Sequence, residues 1–371
     1  MTVRSGRARF SLTLGILALT VFVPPASAAF TCGSWEQVTS QSAGSDDNEF
    51  HGVAASAPTD VWAVGYQMDG SDHVTTLIDQ STGGDFTTVN SPNTTKDETI
   101  LNGVDARSAS DAWAVGFSAS YSKSLEQAFI ARWNGASWKS SKPAAVKGQA
   151  VLNAVTITSA KNAWAVGTAG KTLIEHWNGL GWSRIKSPSV GRFGNWLNGV
   201  VSISKNDVWA VGGYDTSSGG SKKASIALHW NGTQWSIKKT PALTDGADLL
   251  AVSGGSSSDV WAVGRSGSAS LIEHWDGSSW KRVTSPNPGS SGNQLTGVSL
   301  ADAANIWAVG EQNNGGGNSN LVMRYDGLSW VTETVPNPVS NDQLSGVSAT
   351  SATDVWSSGF GNGLADAYHR C

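Results

Sequence analysis

One six-residue phrase returns down the whole length of this chain and limits what it can fold into. It reads Asp-Val-Trp-Ala-Val-Gly from Asp60, DAWAVG from Asp111, NAWAVG from Asn162, DVWAVG from Asp207 and Asp259, NIWAVG from Asn305, and a degenerate DVWSSG from Asp354. The central tryptophans, Trp62, Trp113, Trp164, Trp209, Trp261, Trp307 and Trp356, are spaced by 51, 51, 45, 52, 46 and 49 residues. A fixed period of this size makes the chain an array of like units, each too small to bury its own apolar face alone.

Ahead of the array stand Arg4, Arg7 and Arg9, an apolar run from Phe10 to Val23, Pro24-Pro25, and Ala26-Ser27-Ala28. A basic start, a short apolar stretch and a small-x-small site describe a secretory signal peptide, expected over residues 1–28 and cleaved after Ala28. The run is short for a bilayer span and no later stretch is long and apolar enough, so no membrane span is expected after cleavage. Removing 28 of the 371 residues leaves 343, seven times 49, so residues 29–371 are expected to form one array of seven units. Loss of the three arginines leaves 22 basic against 29 acidic residues, a net charge of −7. No basic cluster remains to follow a phosphate backbone, which excludes nucleic acid as an expected partner.

The unit after Leu197 is the fullest. Leu197-Asn198-Gly199-Val200 begins a short alternating strand that recurs as Phe50-His51-Gly52-Val53, Leu101-Asn102-Gly103-Val104 and so on to Leu344-Ser345-Gly346-Val347. Its small Gly or Ala suits an innermost strand, where backbones converge. A Ser-x-x-Asp connection follows, and its Asp or Asn is expected to accept local backbone N–H groups. The WAVG phrase is a second strand with alternating faces. Third and fourth strands meet at a Trp-Asn-Gly-x-x-Trp turn, as in Trp177 to Trp182 and Trp230 to Trp235, a strong hairpin signal. In the first unit Phe86 holds the second aromatic position.

Four short antiparallel strands per unit, an aromatic stripe and this period describe a propeller blade. The expected fold is all-β: a seven-bladed β-propeller of four-stranded antiparallel blades, closed by the N-terminal strand. The units resemble those of secreted bacterial β-propeller repeat proteins with WAVG-type blades, and more distantly the kelch, WD40 and Asp-box propellers. Asp276-Gly277-Ser278-Ser279-Trp280 is similar to an Asp-box, with Asp and Gly adjacent instead of one residue apart. The resemblance covers the fold and carries no family-specific catalytic motif.

The chain ends fit one another. The last unit stops at His369-Arg370-Cys371, inside the Asn-Gly turn, and Cys32-Gly33-Ser34-Trp35 resumes at the matching place. The N-terminal piece is therefore expected to supply the outer strand of the last blade. Cys32 and Cys371 are the only cysteines and are expected to form a disulfide.

Functional candidates come from the loops that vary in length, which all fall on one face: the loops after WAVG and the links between blades. Trp196 and Tyr214 lie outside the blade-building aromatic positions and would suit a sugar ring. Asp215, Glu311, Arg265 and His51 complete the expected ligand-binding set. Asp47, Asp97 and Asp248 join Asp215 and Glu311 as carboxylates from which a glycosidase pair would have to be drawn. His176, His229, His274 and His369 share one repeat position and are expected to be structural. No nucleophile elbow, dinucleotide fingerprint or spaced metal-ligand set is present, so no cofactor or metal is expected, although Asp46 to Glu49 and Asp69 to Asp72 have the composition of calcium loops. The expected function is a secreted, monomeric binding propeller for an extracellular glycan or protein. The alternatives are an extracellular polysaccharide-active enzyme, hydrolase or lyase, and a structural protein of the cell envelope.

Overall fold

The computed structural model describes residues 33–40, 47–71, 73–220 and 222–371. The expected signal peptide, Cys32, Asp46 and Asp72 lie outside the described residues. The fold is all-β, with one short 3-10 turn at Tyr121–Lys123. Six sheets are present among the described residues, five of four strands and one of eight. The eight-stranded sheet is two antiparallel groups joined by a single parallel bridge, Val74 to Glu98. Each group follows the order read from the sequence: inner strand, WAVG strand, third strand, outer strand. They cover residues 48–88, 98–141, 151–184, 195–238, 248–283, 292–333 and 343–370, numbered here as units one to seven. Unit seven takes its outer strand from the other end of the chain, Trp35–Val38 pairing antiparallel with Leu364–Arg370 in the register Trp35 to Arg370.

The WAVG tryptophans hold neighbouring units together. Trp62, Trp113, Trp164, Trp209, Trp307 and Trp356 are fully buried, and Trp261 nearly so. Each enters the turn aromatics of the next unit: Trp62 meets Trp133 and Trp138 at centroid distances of 4.9 and 5.1 Å, and Trp209 meets Trp275 and Trp280 at 4.9 and 5.5 Å. The pairs combine tilted and edge-on rings, the favoured geometries for aromatic quadrupoles. Trp307 meets Trp35 edge-on at 5.7 Å, so the N-terminal strand supplies the partner that the shortened last unit lacks. Trp356 meets Phe86 of unit one at 5.7 Å, and Phe86 thus stands where tryptophan stands elsewhere.

The closing glycine of WAVG answers to a bulge in the inner strand. In every unit the pairing skips one residue, as between Leu197 and Gly199 against Gly212 and Val211. The skipped residues are His51, Asn102, Asn153, Asn198, Leu250, Thr296 and Ser345. The bulge carries a backbone carbonyl inward, so a Cβ at the opposing glycine, such as Gly65 or Gly212, would lie only 1.8–2.1 Å from it. Only glycine leaves room there. In five units the skipped polar side chain ties its inner strand to the next, as where Asn102 donates to Leu152 O at 2.9 Å, Asn153 to Leu197 O at 2.8 Å and Asn198 to Leu249 O at 2.8 Å.

The turn acid has another partner than the one expected from sequence. In the Ser-x-x-Asp connections the serine accepts the turn N–H, as Ser204 does from Asn206 and Ser256 from Ser258. The acid is left to bind across the unit. Asp207 accepts from Trp209 Nε1 at 3.1 Å and sits 2.8 Å from His229 Nε2; Asp259 takes Trp261 and His274 at 2.8 and 2.9 Å. The shared histidines stack on the same tryptophans, His229 on Trp209 at 4.4 Å and His274 on Trp261 at 4.2 Å, in the structural role expected of them.

A second clasp fastens the link between units to the head of the third strand. In unit one Thr76 N–H donates to Asn93 Oδ1 at 2.8 Å while its hydroxyl donates to Pro92 O at 3.3 Å. The same pair of bonds joins Ser270 to Asn287 and Pro286, and Asn320 to Asn337 and Pro336. Unit three uses Thr172 with Ser189 and Pro188.

Two glutamates on third strands are wholly buried, Glu175 and Glu273. Glu175 accepts the Ala144 N–H at 2.9 Å, and burial raises its carboxyl to about 7 against the pull of that N–H and of Arg184. Neither oxygen of Glu273 has a hydrogen-bond partner among the described residues, and burial raises it to about 8 against the attraction of Arg282.

Two outcomes are expected. Trp209→Ala should destabilise the fold by about 3–5 kcal/mol in denaturant unfolding, through lost burial and the cavity left between two units. Glu273 holds in the folded state a proton that an ordinary glutamate releases in the unfolded chain, so its contribution to stability falls as pH rises from about 4.5 toward 8. Glu273→Gln removes that loss. Its stability relative to wild type should rise by a few kcal/mol, on the order of one per pH unit, between pH 5 and pH 8; parallel stability–pH curves would show the carboxyl to be solvated.

Candidate functional site

The residue after each WAVG glycine and its partner on the inner strand form two concentric series at one end of the sheets. The outer series reads Tyr66, Phe117, Thr168, Gly213, Arg265, Glu311 and Phe360; its partners are Glu49, Ile100, Val151, Trp196, Asp248, Gln294 and Gln343. Below them runs a narrow channel of about 170 Å³, lined by the inner strands of all seven units.

The series breaks its pattern at Gly213. A Cβ there would lie 2.8 Å from the Trp196 ring and 2.6 Å from the Asp248 carboxylate, so this glycine provides the space both occupy. Trp196 lies across the junction of units four and five and donates Nε1–H to Asp248 Oδ1 at 3.0 Å. Asn198 donates to the same oxygen at 3.3 Å, and Lys223 Nζ is 3.7 Å from Oδ2 and 4.8 Å from the Trp196 ring centroid. One face of the Trp196 ring therefore carries an ammonium group, a cation–π contact. Burial raises the Asp248 carboxyl, while the Trp196 hydrogen bond and the charges of Lys223 and Arg265 pull it down.

Arg265 is exposed beside this cluster, directly across the strand pair from Asp248. It belongs to two adjoining grooves of about 370 and 330 Å³, the first running over Lys222, Lys223 and Asp245, the second over Asn293 and Glu311. Glu311 accepts from Asn318 Nδ2 at 2.5 Å; its carboxyl is raised by burial and lowered by the Arg265 charge and that hydrogen bond. One guanidinium thus lies near a buried carboxylate, Asp248, and a half-buried one, Glu311, on successive units and keeps an exposed edge.

The expected ligand residues fall in three places. Trp196, Arg265 and Glu311 lie on this one arc. Tyr214 sits next to Gly213 on the opposite face of the strand, packed on the core cluster between units three and four, and with Val190 lines a separate cleft of about 290 Å³. Asp215 stays beside it, its N–H bonded to Gly194 O at 2.9 Å. His51 lies across the channel mouth, with Nδ1 3.1 Å from Leu101 O, Nε2 3.3 Å from Glu49, and its ring against Tyr66 and Phe360. Tyr66 is raised by burial and by its hydrogen-bonded neighbour Glu49. Lys223 and Asn318 went unnoticed in the sequence. Both sit at the start of third strands, where only the register with Asp215 and with Asn313 reveals that they face the rim.

No protein-family model and no curated protein matches this chain by sequence. Solved structures do match in fold. "YCF48 bound to D1 peptide" superposes with a TM-score of 0.59 at 12% identity, over 93% of this chain and 99% of that one. YCF48 from Cyanidioschyzon merolae gives 0.58 at 13% identity, over 91% and 98%. U3-55K gives 0.59 at 7% identity, over 91% and 98%. These are β-propeller proteins, and the chain shares their propeller fold.

Proposed function

We propose that this chain is a seven-bladed β-propeller, closed by its N-terminal strand, that is exported and binds a segment of another protein on the rim formed by Trp196, Asp248, Arg265 and Glu311. Support for seven blades in a ring comes from the seven antiparallel groups, the passage of Trp356 into unit one and the approach of Gly346 to the Gly52–Val53 backbone, where an added Cβ would lie 3.0 Å from Val53 N. Export is supported by the basic, apolar and small-residue succession of the first 28 residues.

The observation that carries the binding reading is Arg265, an exposed guanidinium at the junction of two grooves whose far walls are held by paired side chains. Such a group is preorganised to receive a carboxylate or main-chain carbonyl, and little ordering is left for the ligand to impose. The peptide held by a solved relative in fold favours a protein segment over a glycan here. The occupied face of Trp196 argues in the same direction.

Selection from a displayed random-peptide library against the full chain tests this. Selected peptides should lose at least tenfold in affinity to Arg265→Glu and retain it with Asp207→Asn, which lies at the opposite end of the strands. A selection in which no peptide loses affinity to Arg265→Glu would overturn the reading, and a glycan array that yields ligands where peptide selection yields none would replace it.

The chain ends generate a separate expectation. Gly33 N–H donates to Cys371 O at 2.8 Å, which brings the residue after Cys32 against the last residue. A Cys32–Cys371 disulfide would lock the outer strand of the seventh blade and contribute a few kcal/mol. Non-reducing peptide mapping should recover these two cysteines in one linked fragment, and reduction should make the residues before Val38 the first to be cleaved by protease.

A further inference from the structure

The link after the outer strand carries Pro followed by Asn or Ser in units one, three, five and six: Asn93, Ser189, Asn287 and Asn337. In each, that short side chain accepts the N–H of a third-strand residue, at 2.6–3.3 Å. Units two and four read Pro143-Ala144 and Pro241-Ala242. A methyl group accepts no hydrogen bond, and at these two places the fold opens cavities.

Unit four keeps only the bond beside the clasp, Ser225 to Thr240 Oγ1 at 2.9 Å, the counterpart of Ser270 to Ser285 in unit five, and its cleft is about 290 Å³. Unit two keeps none of it. Ala128, opposite Phe117 as Ser270 is opposite Arg265, stands in place of the hydroxyl or amide residue; the link is one residue shorter, so Pro143, Ala144 and Ala145 fall where serine, proline and asparagine stand in unit five, and the cavity is about 630 Å³. Its floor is apolar, with Phe129, Val146 and Ala150, and its two charged lining side chains, Lys96 and Lys142, are both cationic. The wall does not collapse inward, because the Ala144 N–H is fixed from behind by the buried Glu175.

We propose that this cavity is a binding site for an acidic protein segment, in which an aspartate side chain takes the place that Asn93 or Asn287 takes within its own unit. Three features specify that chemistry. The sister units show that the slot accepts a carbonyl oxygen one methylene from the main chain, following proline. The lysine pair favours the ionised form of that side chain over the amide. The volume lies within the range of small-ligand sites and admits a few residues. The site opens on the loop face but at a larger radius than Arg265, so it is distinct from the rim.

The test uses the isotopically labelled full chain and the peptide acetyl-Ala-Pro-Asp-Ala-amide, with versions carrying Asn or Ala for Asp. Saturable movement of the Ala128 backbone amide resonance is expected with the Asp peptide, at least fivefold weaker binding with the Asn peptide, and none with the Ala peptide. Lys142→Ser should weaken binding at least fivefold. Ala145→Asn should fill the slot, abolish binding and raise the melting temperature; if that variant folds poorly, Ala145→Ser, copying unit three, replaces it. Arg265→Glu should leave this binding unchanged. An Asp peptide that does not move the Ala128 amide, equal binding of the Ala peptide, or binding that survives both Ala145 variants would overturn the proposal.

Discussion

The structure depends on the insertion of each WAVG tryptophan into the turn aromatics of the following unit. A four-stranded sheet of about forty residues cannot bury enough apolar surface to offset its conformational entropy. Trp62 between Trp133 and Trp138, or Trp209 between Trp275 and Trp280, moves the core to the junctions, so no unit is complete without its neighbour. The same dependence explains the ends. Unit six needs Trp35 against Trp307, and the N-terminal strand provides it; unit seven needs an aromatic for Trp356, and Phe86 of unit one provides it.

The bulge on each inner strand converts that scaffold into a surface. Skipping one residue turns a side chain toward the next unit's carbonyl and forces glycine opposite, leaving the following residue at the rim of the channel. Rim positions carry no share of the core and are free to differ. Arg265 and Glu311 exploit that freedom on one arc; Tyr66 and Phe360 exploit it around His51 on another. At Gly213 the loss of a side chain admits the indole of Trp196, which couples two units through Asp248.

Variation among the units is as informative as their likeness. The Pro-Asn clasp is a fastening that a unit can lose without losing its strands, because the ladders and the tryptophans carry the fold. Units two and four have lost it to different degrees, and their cavities scale with the loss. The buried Glu175 and Glu273 occur in the units that follow these two, and Glu175 bonds the backbone of Ala144. Changes on the two sides of a junction are thereby linked in space.

The sequence by itself determined the units, their strand order, the buried tryptophans and the joining of the two chain ends, because these follow from local periodicity and from fixed repeat positions. His176, His229, His274 and His369 were legible as structural for the same reason. The function of the turn acids was not, since the partner of Asp207 is His229, 22 residues away across a sheet, and the local turn N–H was already taken by serine. Nor was the division of Trp196 from Tyr214, near neighbours across a strand pair that the pleat sends to opposite sides. Lys223, Asp248 and Arg265 gather around Trp196 from separate strands, and only the register of those strands decides it. Repetition reports what every unit must do alone or to its neighbour; a site built from the differences between units exists only once they are packed side by side.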